Sequence, residues 1–235
     1  MKLSIIIPAY NEAAGIAKLI GYLQHQLANL PHEILVADGQ STDGTTAVAK
    51  AAGATVILCP EKGRARQMNF GADAATGEML YFLHADTFPP ENFAEHILKA
   101  AAEGVACGCF RLSFDLDHWF LDLNSWFTRF NVKYFRWGDQ SLFVRREIFW
   151  AEGGFRNDLK IMEDQEMMIR LLQKYNFKVL PFAVRTSARK YQENGVVKLQ
   201  LIFTMLQTLY HFGVDQDKIL RLYGKLIRDK KVNNP

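Results

Sequence analysis

The chain has 235 residues, 28 Lys and Arg against 25 Asp and Glu for a net charge of +3, and 49% hydrophobic residues. That is enough chain for one α/β domain with a full core, and its charge is too mild for nucleic acid to be the main partner. No apolar run has the length needed to span a bilayer, and Cys59, Cys107 and Cys109 lack the even count of a disulfide framework and the spacing of a zinc site.

Leu3-Ser4-Ile5-Ile6-Ile7 is too short for a signal peptide and reads as the first strand of a cytoplasmic protein. It stops at Pro8 and continues as Ala9-Tyr10-Asn11-Glu12. Ile16, Leu19, Ile20, Leu23 and Leu27 then recur with a helical period, and Asn11 stands where it can cap that helix. A second strand over 33–38 ends on Asp38-Gly39. Ser41-Thr42-Asp43-Gly44-Thr45 opens a second helix through Ala52, with Asp43 as a cap or turn residue. Residues 56–58 make a third strand, and 62–75 a third helix closed by Gly77. A fourth strand over 79–83 runs into His84-Ala85-Asp86, and a fourth helix covers 91–102. Strict alternation of this kind predicts an α/β fold with a doubly wound, mostly parallel sheet.

Past Gly104 the pattern changes. A strand is expected over 105–114, bent at Gly108, and then Leu116, Phe120, Leu123, Phe127 and Phe130 repeat at helical spacing. The aromatic stretch from Trp119 to Trp137 reads first as core. Residues 138–145 look strand-like, 146–152 helical, 163–175 helical and 178–180 extended. From 194 to 231 the chain is mostly amphipathic helix. With no internal repeat or linker, the whole of 1–235 reads as one domain.

In parallel sheets ligands sit in the crevice beyond the carboxyl ends of the strands. Polar residues at several successive strand ends therefore converge on one place. Pro8-Ala9-Tyr10-Asn11-Glu12, Ala37-Asp38-Gly39, His84-Ala85-Asp86 and Met162-Glu163-Asp164-Gln165-Glu166, in that order, resemble the family 2 glycosyltransferases, inverting enzymes of the GT-A fold. The resemblance covers about residues 3 to 190. It implies a nucleotide-sugar-binding half (3–104), an acceptor and catalytic half (105–192) and a helical tail (193–235). It also implies transfer of a sugar from a nucleoside-diphosphate donor to an acceptor hydroxyl, with a divalent metal, Mn²⁺ or Mg²⁺.

Chemistry assigns roles beside that resemblance. Tyr10 offers a ring on which a base can stack, and Asp38 an acceptor for a base N–H or ribose hydroxyl. In the family, positions matching Pro8, Ala9, Tyr10, Glu12 and Asp38 line the donor pocket. Asp86 stands at the last position of the family's Asp-x-Asp signature and supplies a hard oxygen ligand; His84 replaces the first aspartate and is the second candidate ligand. Glu163-Asp164 matches a pair whose aspartate acts as the base, and Glu163 and Glu166 are substitutes or acceptor contacts. Arg64 and Arg66, at a helix start, and Arg189 are candidates for the donor's phosphates.

The processive Gln-x-x-Arg-Trp motif is absent, which favours a single transfer. Two other readings compete: a nucleotide-sugar-binding or regulatory module without turnover, and a nucleotidyltransferase, which would want a glycine-rich loop after the first strand. In the tail, Lys218, Arg221, Lys225, Arg228, Lys230 and Lys231 border Ile219, Leu222, Leu226 and Ile227. Such a helix can lie peripherally on the inner face of an anionic membrane, or pack against the domain or a second copy.

Overall fold

The computed structural model describes residues 1–136 and 138–228. Its centre is β1 (Leu3–Ala9), buried along nearly its whole length. Alternate residues of this strand feed two different cores, as a pleat requires. Leu3, Ile5 and Ile7 face Ile16, Leu19, Ile20 and Leu23 of α1 (Ala13–Leu27) and Ile97 of α4 (Phe93–Ala102). Ile6 faces the other way, into a cluster with Met68 of α3 (Arg64–Ala74) and Met168 of α7 (Glu163–Lys174). A fully buried Ile or Leu contributes about 2 kcal/mol, so β1 is where the two layers are welded together.

Parallel strands flank it. β2 (His32–Asp38) pairs on one side, with β3 (Thr55–Leu58) beyond it, and β4 (Met79–Phe82) pairs on the other. α2 (Thr45–Ala51) links β2 to β3. Pro8 falls beyond the Leu3–Ile6 stretch paired to β4, so its missing N–H breaks no bond there.

The second half completes the same sheet, in the order β3-β2-β1-β4-β7-β6-β8-β5. β7 (Leu142–Arg145) runs antiparallel to β4 and to β6 (Cys107–Phe114), while β6 is parallel to β8 (Phe177–Thr186). The short β5 (Thr87–Phe88) returns antiparallel to the far edge of β8. The sheet is therefore mixed but mostly parallel, with only β7 and β5 running against the other strands.

Several expectations need correction. The predicted bend at Gly108 lies instead between Phe110 and Arg111, opposite Pro181 and Phe182, which the register skips. Proline cannot donate to the ladder, so the irregularity forms there. Gly108 answers a different need: a Cβ on it would lie 2.1 Å from the Lys178 carbonyl oxygen. β8 extends well past 180 because the chain resumes pairing after the bulge. Residues 138–140 form a single 3₁₀ turn rather than strand. Gly77 is no helix cap; it lies against Ser4 Oγ and the Lys2 carbonyl, and the α3 C-cap is Ala75.

Asn11 does not cap α1 either. It takes a left-handed φ of 53° and accepts from the Thr42 N–H. The α1 N-terminus is served from a distance by Asp43, which accepts from Ala13 N and, through its other oxygen, from Thr45 N at the start of α2. One carboxylate thus holds two helix starts.

Residues 119–136 are less buried than core would be. α5 (Trp119–Phe127) buries Leu121, but Trp119 is 69% exposed and Trp126 and Phe130 are exposed too; Trp137 lies outside the described residues. The segment that follows is pinned by Arg136, wholly buried, which donates to the carbonyls of Thr128 and Phe130 and to Cys109 Sγ. α6 (Arg146–Ala151) precedes the turn into α7. α8 (Arg189–Asn194), α9 (Val196–His211) and α10 (Gln216–Leu226) close the chain, joined to Leu121 through Tyr191, Leu199, Leu206, Ile219 and Tyr223. Among the described residues no helix is long and apolar enough to cross a membrane.

Candidate active site

The carboxyl ends of β1, β2 and β4 carry the loops that sequence reasoning singled out. Ala9 and Asp38 are register partners at the last step of β1 and β2, so Tyr10 and the Asp38 carboxylate start from adjacent points. Gln67 of α3 ties the two strand ends together, its amide donating to the carbonyls of Ala9 and Ala37 at 2.8 and 2.9 Å. Asp38 is buried. Its Oδ2 accepts from Ser41 N at 3.0 Å, whereas Oδ1 is buried without a partner. An orphaned carboxylate oxygen is costly, and a ligand N–H or hydroxyl would satisfy it. The Tyr10 ring has Lys62 Nζ 5.1 Å from its centre. Glu12 provides the carbonyl that accepts the first α1 bonds, from Gly15 and Ile16.

The second group gathers where α3 and α7 begin. Asp164 Oδ2 is 3.2 Å from His84 Nε2 and 3.4 Å from Arg64 Nη1, while Arg64 Nε lies 3.2 Å from Glu163 Oε1. The other His84 nitrogen, Nδ1, is 3.1 Å from Asp139 Oδ1. Asp139 sits on the 3₁₀ turn after Gly138, and a Cβ on Gly138 would fall 2.5 Å from Asp164 Oδ2. Only glycine lets that turn approach the carboxylate. Glu163 and Asp164 are both buried in the first turn of α7, where the helix end favours negative charge.

Charges in this cluster balance. Burial alone pushes the His84 imidazole down, but Asp139 and Asp164 outweigh it and hold it at about 10, so the ring is an imidazolium. For Asp164, burial pushes up and the hydrogen bond and charge of His84, joined by Arg64, pull it below the usual range. Asp139 is lowered in the same way, burial opposed by His84. Glu163 moves upward: its burial and the neighbouring Asp164 outweigh Arg64. Two cations thus face two carboxylates, and the third carboxyl is pushed toward its neutral form.

Both nitrogens of His84, the second candidate metal ligand, lie within hydrogen-bond distance of carboxylates, Asp139 and Asp164. Asp86 is different. It sits in a turn, partly exposed, and its side chain has no partner among the described residues. Arg64 joins the cluster, but Arg66 pairs with Glu61, and Arg189 is exposed and outside it. Glu166 pairs with Arg170 one helical turn on, so it is occupied as a structural partner. Burial raises the thiols of Cys59 and Cys109 to about 11, so both are held in the protonated form.

Asp139 and Gln67 are the residues sequence reasoning missed. Gly138-Asp139-Gln140 invites reading as an ordinary turn, and only the packing of Gly138 against Asp164 shows otherwise.

Comparison with known proteins decides the family. A model described as glycosyl transferase family 2 matches residues 4–152. The chain belongs to glycosyltransferase family 2. Protein RfbJ of Shigella flexneri is 43% identical over 116 residues, 46% of this family 2 chain and 84% of RfbJ. The chain spans about three tenths of the length of several other curated relatives it matches. Among solved structures, mannosyltransferase PcManGT from Pyrobaculum calidifontis, in complex with GDP-Man and Mn²⁺, aligns with a TM-score of 0.69 at 20% identity, over 90% of this chain and 63% of that one. Glucosyl-3-phosphoglycerate synthase from Mycobacterium tuberculosis, with Mn²⁺, UDP and glucosyl-3-phosphoglycerate, aligns at 0.64 and 18% identity, over 88% and 79%. The shared fold is GT-A.

Proposed function

We propose that this chain transfers one sugar from a nucleoside-diphosphate donor to an acceptor hydroxyl, with inversion. The observation that carries the reading is the pairing of an orphaned strand-end carboxylate, Asp38, with a second group in which Asp164 is held by Arg64 and His84. The first suits a nucleoside, the second a displacement. Solved relatives holding GDP-Man or UDP support the donor class.

In this scheme the nucleoside lies against Tyr10 and satisfies Asp38 Oδ1. The acceptor oxygen attacks the anomeric carbon as Asp164 takes its proton, and the nucleoside diphosphate departs with the electron pair of the broken bond. One displacement with no covalent intermediate inverts the centre. Held by both an imidazolium and a guanidinium, Asp164 is a weak base. Arg64 is 47% exposed, and its turning from the carboxylates to the donor's diphosphate would leave Asp164 held by His84 alone and so raise its basicity.

Among the described residues no three His, Cys, Asp or Glu side chains could by themselves hold a metal. The single free carboxylate of Asp86 still fits a hard cation whose other ligands are phosphate oxygens and water. Asp86 would hold Mn²⁺ or Mg²⁺, which when bound neutralises charge on the leaving diphosphate.

The test is Asp164→Asn. Calorimetry with GDP-mannose and UDP-glucose should give donor affinity near that of the parent chain, while transfer falls by about 10²–10⁴-fold. The anomeric configuration of the product, read by NMR, should be inverted. Retained configuration, or near-normal transfer by the variant, sinks the mechanism.

A further inference from the structure

The tail helices combine two features that the transfer site does not use. Lys218, Arg221, Lys225 and Arg228 are all exposed, and their spacing of three, four and three puts them in one line along α10 and just past its end. None forms an ion pair among the described residues. The acids of this helix are spent elsewhere: Asp215 caps it, and Asp217 pairs with Lys160. α9, packed against α10, has no Asp or Glu in its 16 residues, and Lys198 is its sole Lys or Arg. Its outer face exposes Val197, Leu201 at 64% and Met205 among Lys198, Thr204 and Thr208, and is followed by Phe212 at 82%.

The two features meet. Lys198, at the start of α9, lines one cleft together with Lys225, Leu226 and Arg228 at the end of α10. Glu193 is the one acid there. Lys230 and Lys231, the last cations of the motif, lie outside the described residues.

We infer that this α9–α10 face docks on the surface of an anionic lipid bilayer, with the cations on the headgroups and Val197, Leu201 and Met205 in the outer acyl region. Apolar side chains flanked by unpaired cations are the pattern of helices that lie in a membrane interface. A second copy fits less well, because a two-fold interface would set the same row of cations against itself. Nucleic acid would answer the charge but leave the exposed Leu201 and Met205 without a use.

The experiment is co-sedimentation of the full chain with vesicles of phosphatidylcholine alone and of phosphatidylcholine mixed with phosphatidylglycerol. Binding is expected only to the mixed vesicles and should be lost at high salt. Each of Lys198→Gln, Lys225→Gln and Arg228→Gln should weaken it about fivefold, since one cation near an anionic leaflet contributes about that factor. Leu201→Ser should weaken it at unchanged charge. All four positions are exposed, and donor binding should be unchanged in every variant, which separates this result from the transfer reading. Absence of binding to the mixed vesicles, or binding indifferent to both kinds of substitution, overturns the inference. A concentration-dependent dimer in sedimentation velocity, abolished by Leu201→Ser in a chain that ignores vesicles, also overturns it and assigns the face to a second copy.

Discussion

At Gly138 the absence of a side chain is a steric requirement. Asp164 Oδ2 occupies the space that a Cβ would need, at 2.5 Å, so the turn and the carboxylate are fitted to each other. Gly138→Ala should displace Asp164 from His84 and Arg64. Transfer is expected to drop at least tenfold with donor affinity little changed, measured as kcat against the calorimetric Kd. Asp38 predicts the opposite split. Asp38→Ala removes the carboxylate whose unpartnered oxygen is proposed to accept from the nucleoside, and should cost donor affinity about 1.5–3 kcal/mol, the scale of a hydrogen bond to a charged group. Unchanged affinity would remove the proposed pocket. His84 carries a lesson at this scale. It stands beside Asp86 in sequence, and residues 139 and 164 arrive from far along the chain to within hydrogen-bond distance of both ring nitrogens, contacts that no local pattern announces.

Elements are joined by single side chains that reach across. Asp43 is read from sequence as a cap or turn residue of α2; the N-cap is Gly44, and the Asp43 carboxylate just before it accepts from Thr45 N. That it also accepts from Ala13 at the start of α1 depends on α1 and α2 lying side by side. Asp43→Ala therefore removes partners from two helix ends, and should destabilise by about 1–2 kcal/mol, toward the upper end for a capping loss, in a urea melt. A change of a few tenths would mean that water replaces both bonds. Asn11 shows the converse: it has the right identity and place for a cap, but its left-handed backbone turns its side chain to Thr42. Cap identity is local, whereas cap geometry is set by where the strand delivers the chain.

For the molecule as a whole, the end of the sheet opposite the site is closed by Glu33. It accepts from Lys2 Nζ at the start of β1, from Ser4 Oγ, and from Thr76 and Gly77 before β4. Burial pushes Glu33 up, but these bonds from Ser4, Thr76 and Lys2 outweigh it and hold it at about 2. A carboxylate lowered on folding adds stability above its unfolded value, near 4.5, and loses it as pH falls toward 2. The acid limb of the unfolding curve should therefore fall steeply between about 4.5 and 2, and Glu33→Gln should flatten it. If both proteins show the same limb, these bonds do not control acid stability.

The parallel flank of the sheet was legible in the residues. Runs such as 3–7 and 79–83 are apolar on both faces, and only a strand covered on both sides can bury them. The sequence also marked Asp38, Asp86, Glu163 and Asp164, because acids at strand ends and in a helix's first turn are unneeded by the core. The rest was settled by packing between distant parts of the chain. Whether Trp119 and Trp126 are core depends on what packs over them, and little does. Arg64 and Arg66 are alike in sequence, yet one meets Glu163 and Asp164 and the other Glu61. Periodicity reports which face of an element is buried; it carries no information about which distant side chain will stand opposite, and the charge state of the site is set by those distant partners.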